Sequence, residues 1–244
     1  MSKCLKAVDD VMGKALLDYQ GGMLKGELIV HTTVAEDEPY DVAVFFRNYD
    51  EMPLLEQKAL ELASGSILDV GAGTGIHSLA LEKMGKKCKA IDISELSVEI
   101  MKEEGVESFS CEDFYELKNQ KYDTLLLLMN GIGIVETMDG FQRFFNHCET
   151  ILKIGGQILL DSSDIIYLFE EEDGSYLVQL NEKYYGEVEF QVEYNGAKGI
   201  PFPWLFIDFD NLQHQAEKYG FQAELIQNGE HFDYLARITL KTIS

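Results

Sequence analysis

The sequence predicts a doubly wound α/β fold, in which helices cover both faces of a mostly parallel sheet. Three observations support this prediction. Short apolar runs alternate with helical segments through the middle of the chain, two closely spaced strand-like segments end it, and 46% of its 244 residues are hydrophobic. A chain of this length and composition can build one such domain with a sizeable core and a smaller inserted element.

The alternating units lie in the middle of the chain. The predicted strands are residues 66–70, 87–93, 107–110, 122–129 and 157–161, and the predicted helices are residues 76–84, 95–104 and 138–151. Residues 125–129 are apolar at every position and not only at alternate ones. A strand of that kind is buried on both faces, which is typical of a parallel sheet.

The C-terminal part departs from this alternation. A helix predicted at residues 210–219 is followed by strands at residues 221–227 and 233–241, which are joined by the short link Asn228-Gly229-Glu230. A link of this length joins antiparallel neighbours. The sheet is therefore expected to end in an antiparallel pair.

Two further segments flank or interrupt the main domain, which we place at residues 64–244. The N-terminal segment, residues 1–63, combines predicted helices at 3–20 and 53–63 with a short strand at 27–33. It is expected to cover the functional site.

An antiparallel cap is predicted after the fifth strand, at about residues 164–208. Residues 187–194 alternate polar and apolar side chains, as a half-buried strand does, and Asn195-Gly196 is a turn signal. Residues 200–209 form the expected return strand, where Pro201 and Pro203 indicate an edge position.

The charge and composition of the chain indicate which classes of binding partner are not expected. Forty-three acidic and twenty basic residues give a formal charge of −23. Such a surface repels nucleic acid and anionic membranes, so neither is expected as a partner. The chain lacks the run of about 18 apolar residues that a membrane helix needs and begins without a signal-peptide pattern. A soluble, cytoplasmic protein is expected, and no pattern specifies an oligomeric state.

The sequence contains no cysteine or histidine spacing typical of a metal site. The four cysteines are scattered, without a Cys-x-x-Cys pair, and the five histidines show no His-x-x-x-His spacing. No metal site is predicted.

A glycine-rich turn carries the first functional signal. Gly71, Gly73 and Gly75 directly follow a predicted strand and open a helix. Glycine permits a tight turn and lets a ligand approach the backbone, and a helix N-terminus favours an anion. The turn therefore predicts a cofactor-binding site.

The spacing of the turn separates two cofactor classes. A nicotinamide-dependent oxidoreductase prefers Gly-x-Gly-x-x-Gly, which would require glycine at Ile76. Here the third glycine is Gly75, and Asp69 precedes the first glycine by two residues. This pattern disfavours the oxidoreductase, which remains as an alternative beside a non-catalytic cofactor-binding module.

Several motifs together resemble those of class I S-adenosylmethionine-dependent methyltransferases. They are residues 67–75 (ILDVGAGTG), 90–94 (AIDIS), 111–114 (CEDF), the strand from Tyr122, and the turn at residues 152–157 (LKIGGQ). The resemblance covers roughly residues 64–162. It implies a seven-stranded sheet with an antiparallel last strand, S-adenosyl-L-methionine as cofactor, and in-line transfer of its sulfonium methyl group.

The resemblance also implies roles for individual residues. The methionine part of the cofactor would lie over Gly71-Ala72-Gly73, Asp92 would accept bonds from the ribose hydroxyls, and Asp113 would meet the adenine amino group. The full set of expected cofactor residues is Asp69, Gly71, Ala72, Gly73, Gly75, Asp92, Ile93, Asp113, Phe114, Asn130 and Arg47.

The acceptor side is less defined. The segment after the fourth strand (MNGIG) lacks the Asn/Asp-Pro-Pro-Tyr/Phe motif typical of amino-adenine and glutamine methyltransferases, which argues against those substrates. Residues 45–53 (FFRNYDEMP) resemble the N-terminal segment of small-molecule members of the family, and this resemblance implies a small acceptor with an N or O nucleophile. Asn130 is either a ligand contact or a strand-end cap, and Arg47 pairs either with the methionine carboxylate or with an acidic side chain. The candidate substrate contacts are Phe46, Tyr49 and Trp204, and Trp204 is alternatively plain sheet core. No catalytic base is identified.

Overall fold

The computed structural model describes residues 4–171, 173–177 and 183–241. The α-helices are α1 Val11–Gln20, α2 Leu54–Leu62, α3 Ile76–Lys83, α4 Glu95–Glu104, α5 Phe141–Ile151 and α6 Phe209–Lys218. The strands are β1 Leu28–Thr32, β2 Glu38–Tyr40, β3 Ser66–Val70, β4 Lys87–Asp92, β5 Phe109–Cys111, β6 Tyr122–Leu127, β7 Leu152–Ser163, β8 Glu187–Tyr194, β9 Ala197–Lys198, β10 Phe202–Leu205, β11 Phe221–Asn228 and β12 Asp233–Leu240.

The main sheet has seven strands in the order β11-β12-β7-β6-β3-β4-β5. Strands β3 to β7 pair in parallel, whereas β12 lies antiparallel between β7 and β11. This confirms the predicted doubly wound, mostly parallel sheet with an antiparallel last strand.

Both faces of this sheet are buried, as the uninterrupted apolar run in β6 predicts. Leu125 and Leu127 pack on one face with the phenylalanines of α5. Leu126, between them, points to the other face and packs with α2 and α3. Successive side chains of a strand point to opposite faces, so only an apolar run can bury both.

The three glycines of the β3–α3 turn have different roles. Gly75 adopts a φ of +86°, and a Cβ there would lie 2.7 Å from Cγ2 of Val106, so this glycine allows α3 to pack closely. Gly71 and Gly73 also have positive φ, but a Cβ on either would meet open space. These two leave the backbone accessible from the carboxyl edge of the sheet.

A second sheet joins the N-terminal segment to the insertion. Its order is β10-β8-β1-β2, with β9 paired to β8. The strands of the predicted cap therefore do not form a sheet of their own. Strand β8 pairs with β1 of the N-terminal segment, from Leu28↔Tyr194 to Thr32↔Phe190. The predicted Asn195-Gly196 turn and the edge position of Pro203 are confirmed.

Several predicted boundaries were wrong. The first helix starts at Val11, not at residue 3, because Asp10 caps it by accepting a bond from Gly13 N at 2.7 Å. Residues 4–10 instead run beside the end of β4, where Leu5 N donates to Ile93 O at 2.6 Å. Strand β5 starts two residues later than predicted, and β7 extends beyond the predicted strand at both ends.

None of the helices in the described part of the chain combines the length and apolar character that crossing a membrane requires.

We expect Gly75→Ala to lower the free energy of unfolding by about 2–5 kcal/mol. The alanine would have to adopt a left-handed backbone conformation, and its Cβ would also be too close to Val106. Gly105→Ala is the matched control, because Gly105 has a nearly identical φ of +88° and open space around its Cβ. That control should cost only about 1–2 kcal/mol. Urea unfolding measures both, and equal losses would contradict the packing role of Gly75.

Candidate cofactor and acceptor site

The candidate site lies at the carboxyl edge of the parallel strands, where ligands of such sheets bind. Four predicted residues mark this edge at the ends of neighbouring strands. Asp69 lies within β3, Asp92 ends β4, Asp113 follows β5, and Asn130 follows β6. The sheet order β6-β3-β4-β5 therefore brings these residues into one row.

Asp92 links the end of β4 to the glycine turn. Its Oδ2 accepts a hydrogen bond from Gly73 N at 2.9 Å, and its Oδ1 accepts one from Ser94 N at 2.8 Å. Loss of hydration, together with the carboxylates of Asp10 and Asp69, raises the pKa of Asp92 to about 6 despite these two bonds.

The surroundings of Asp92 fit an adenosine. Ile93 beside it is 46% exposed, which is unusual for an isoleucine at a strand end and provides an apolar contact surface. Gly71 and Gly73 leave open space above the turn. A carboxylate acceptor, an apolar surface and an accessible backbone are what ribose, a base and a charged tail require.

Asp113 and Phe114 occupy different environments. Asp113 is half-buried and caps a 3-10 turn by accepting a bond from Tyr115 N at 2.9 Å. The Phe114 side chain is buried in the core against Phe144 and His147. Only the backbone of Phe114 is therefore left to line the site.

Asp69 and Ala72 brace the glycine turn from within. Asp69 is buried and accepts a hydrogen bond from Ser78 Oγ at 2.8 Å, which ties β3 to α3. Its burial raises the pKa of the carboxyl group. Ala72 is buried as well, and its N–H donates to Ile91 O at 3.0 Å.

A buried ionic cluster lies beside the first turn of α3. Glu56 of α2 accepts bonds from Arg47 Nη2 and, at 2.8 Å, from His77 Nε2. Burial would raise the pKa of Glu56, but its bonds to these two cations outweigh burial and lower it. Burial would lower the pKa of His77, and Glu56 with Asp69 raises it instead.

Two partners were considered for Arg47, and in the structure Arg47 pairs with an acidic side chain, that of Glu56. Glu56 is buried and Arg47 is partly buried, so the pair does not lie on the surface. Arg47 Nε is also buried and has no acceptor in the described part of the chain. The Nε–H of the guanidinium is therefore among the donors that remain for an anion.

The turn after β6 is strained and held by a residue that the sequence did not single out. Met129 and Asn130 have φ values of +62° and +58°. Non-glycine residues in this region cost about 1–3 kcal/mol each. Asp161, near the end of β7, accepts bonds from Met129 N at 3.1 Å and from Asn130 N at 2.7 Å.

Only one of the three candidate substrate contacts lies beside this turn. Trp204 packs over Gly133, in the 3-10 turn Gly131–Val135 that follows Asn130. Phe46 stacks on Tyr19 with ring centroids 5.0 Å apart. Tyr49 lines a cavity of about 140 Å³ on α3, so the structure does not bring it to the turn.

A larger, open cavity of about 390 Å³ lies beside the ends of β7 and β11. Its lining is acidic and aromatic and includes Asp164, Asp208, Asp210, Asp233, Phe209 and Phe232. Tyr184 donates to Asp208 at 2.6 Å, and Tyr185 donates to Asp164 at 2.7 Å. The sequence pattern did not indicate this cavity, because its residues come from four separate segments.

Comparison with known proteins identifies the family. Residues 68–160 match the family model described as "Methyltransferase domain". A solved S-adenosylmethionine-dependent methyltransferase from Bacteroides fragilis, in complex with S-adenosyl-L-homocysteine, is 43% identical over 99% of both chains, with a TM-score of 0.92. The chain belongs to the S-adenosylmethionine-dependent methyltransferases.

Two curated relatives match parts of this methyltransferase. Ribosomal protein L11 methyltransferase of Staphylococcus carnosus is 31% identical over 127 residues, which are 48% of this chain and 40% of that protein. Ubiquinone biosynthesis O-methyltransferase of Coxiella burnetii is 25% identical over 113 residues, 43% and 47% of the two chains. The chain spans less than half the length of these curated relatives.

The family assignment decides between the cofactors that the glycine turn left open. The methyltransferase uses S-adenosyl-L-methionine, and the prediction of that cofactor is confirmed. The alternative of a nicotinamide-dependent oxidoreductase is set aside.

We expect Glu56→Ala to destabilise the methyltransferase by about 3–5 kcal/mol, because it leaves Arg47 and His77 buried without their anion. Lys58→Ala on the same helix is the control, since it removes only the exposed Lys58–Glu61 pair. Its effect should stay within about 1 kcal/mol. Chemical unfolding at pH 7 measures the difference, and a loss in Glu56→Ala no larger than in the control would refute the role of the buried cluster.

Proposed function

We propose that this methyltransferase transfers the methyl group of S-adenosyl-L-methionine to an N or O nucleophile of a small molecule. The observation that carries the proposal is the second sheet, which joins the N-terminal segment to the insertion and whose strand β10 packs on the turn at the carboxyl end of β6. An edge covered in this way suits a small acceptor better than a segment of a folded macromolecule.

The cover reaches the edge from two sides. Strand β10 places Trp204 over Gly133, next to the end of β6. Residues 4–10 run beside the end of β4, where Leu5 bonds to the backbone of Ile93 and Glu95. The β1–β8 pairing ties both sides together. Such a cover excludes water and aligns the reactants, which is most of what methyl transfer needs.

Charge favours some acceptors over others. The open acidic cavity beside the ends of β7 and β11 and the net charge of −23 disfavour an anionic acceptor. A neutral or cationic molecule is the better fit. An amine needs only to lose a proton before it attacks, whereas an alcohol or phenol requires a base.

The cofactor contacts are assigned from the geometry of the edge. S-adenosyl-L-methionine supplies, when bound, a sulfonium methyl that a nucleophile displaces in line. We assign the ribose hydroxyls to Asp92, the adenine to Ile93 and Asp113, and the methionine part to the turn at Gly71 and Gly73. Asp69, Ala72 and Gly75 support that turn, the backbone of Phe114 lies beside Asp113, and the free Nε of Arg47 is the candidate donor to the methionine carboxylate.

We expect Asp92→Asn to weaken binding of S-adenosyl-L-homocysteine at least tenfold, since it removes charge-assisted bonds worth about 1.5–3 kcal/mol. In the native protein, affinity should fall as the pH drops from 7 to 5. Burial raises the pKa of Asp92 to about 6, so below that pH the carboxylic acid must lose its proton before it accepts bonds from both ribose hydroxyls. Calorimetry at several pH values measures both effects.

The exposed Asp50→Asn serves as the control and should bind normally. Unchanged affinity in Asp92→Asn would contradict the ribose assignment.

We expect the native protein to transfer isotopically labelled methyl groups into the small-molecule fraction of a cell extract, and Asp92→Asn to transfer far less. Mass spectrometry of separated small-molecule, protein and nucleic-acid fractions measures the label. Label confined to the protein fraction would overturn the proposed acceptor class while leaving the family assignment intact.

A further inference from the structure

The turn after β6 is held in a conformation that its own residues disfavour. Met129 and Asn130 are consecutive, neither is glycine, and both have positive φ. Backbone in this region persists only where the surrounding structure imposes it, and such strain clusters at functional sites. The turn therefore requires a partner that holds it.

Asp161 is that partner. It belongs to β7, the strand next to β6, and its side chain is buried. One carboxylate oxygen accepts from Met129 N at 3.1 Å and the other from Asn130 N at 2.7 Å. Both oxygens are thus used to hold the two strained residues.

A second bond orients the side chain of Asn130. Ser163 Oγ donates to Asn130 Oδ1 at 2.9 Å. In the part of the chain that the structure describes, Asn130 Nδ2 donates to no protein atom, so it is available to a ligand. An amide N–H donates only to an atom with a lone pair, which the N or O nucleophile of the proposed acceptor carries and the cofactor's ammonium group does not.

A role in stability alone does not explain an aspartate at position 161, because burial disfavours its charged form. Burial raises its pKa to about 7, with Glu56 of α2 acting in the same direction. The two backbone N–H groups and His77 of α3 oppose that rise. A carboxylate that burial disfavours, bound to strained backbone at a ligand-binding edge, indicates a functional role.

We propose that Asp161 is a positioning residue for methyl transfer: it holds the Met129–Asn130 turn so that the Asn130 amide donates to the acceptor molecule. The proposal rests on the proposed function, because it places the acceptor at this edge. Asp161 itself touches neither reactant.

The first test is transfer of labelled methyl groups by Asp161→Asn. An amide has one acceptor oxygen, so one of the two N–H groups loses its partner. We expect the rate to fall at least tenfold while affinity for S-adenosyl-L-homocysteine stays within threefold. Asp123→Asn, at the opposite end of β6, changes a carboxylate far from the turn and should transfer normally.

The second test is rescue by glycine. Met129→Gly removes the conformational penalty at that position, so the double variant Asp161→Asn, Met129→Gly should recover several-fold over Asp161→Asn alone. The rates are compared in the extract fraction that becomes labelled. The comparison therefore remains valid even if the acceptor is not a small molecule.

The third test needs no acceptor. The backbone amide NMR signals of Met129 and Asn130 should shift with an apparent pKa near that of Asp161 and lose this titration in Asp161→Asn. Signals that do not respond to the substitution would overturn the proposal. It is equally overturned by an unchanged transfer rate, by a loss of cofactor affinity as large as the loss of rate, or by the absence of glycine rescue.

Discussion

Carboxylates that bind backbone N–H groups across neighbouring strands hold the functional edge of this protein together. Asp92 of β4 accepts from Gly73, in the turn that follows β3, and Asp161 of β7 accepts from Met129 and Asn130, in the turn that follows β6. Each carboxylate thus fixes the turn of the adjacent strand. Burial opposes the charge that these bonds require, and it raises the pKa of Asp92 to about 6 and that of Asp161 to about 7.

The two halves of the edge differ in structure. The β3–β4 half presents an accessible glycine turn beside Ile93, where we propose that the cofactor binds. The β6–β7 half presents a strained turn beneath Trp204, where we propose that the acceptor binds. The cluster around Glu56 acts electrostatically on both halves, because Glu56 raises the pKa of Asp161 and His77 lowers that of Asp69.

The cover over the edge depends on contacts between distant parts of the chain. Strand β1 and strand β8 are separated by more than 150 residues in sequence, yet they form the centre of the second sheet. The sequence predicted both strands from their local patterns but assigned them to separate elements. Alternation of apolar and polar residues shows that a strand has a buried face, and it does not show which strand pairs with it.

The sequence by itself determined the sheet, the cofactor and most of the row of strand-end residues, because these depend on local patterns. Apolar runs define buried strands, and the spacing of Asp69, Gly71, Gly73 and Gly75 defines the turn. Only the tertiary structure decided that Asp161 holds Asn130, that Arg47 pairs with Glu56, and that the cover is a single sheet. These depend on which side chains meet across the fold, and a carboxylate among 43 acidic residues carries no local signal of what it will contact.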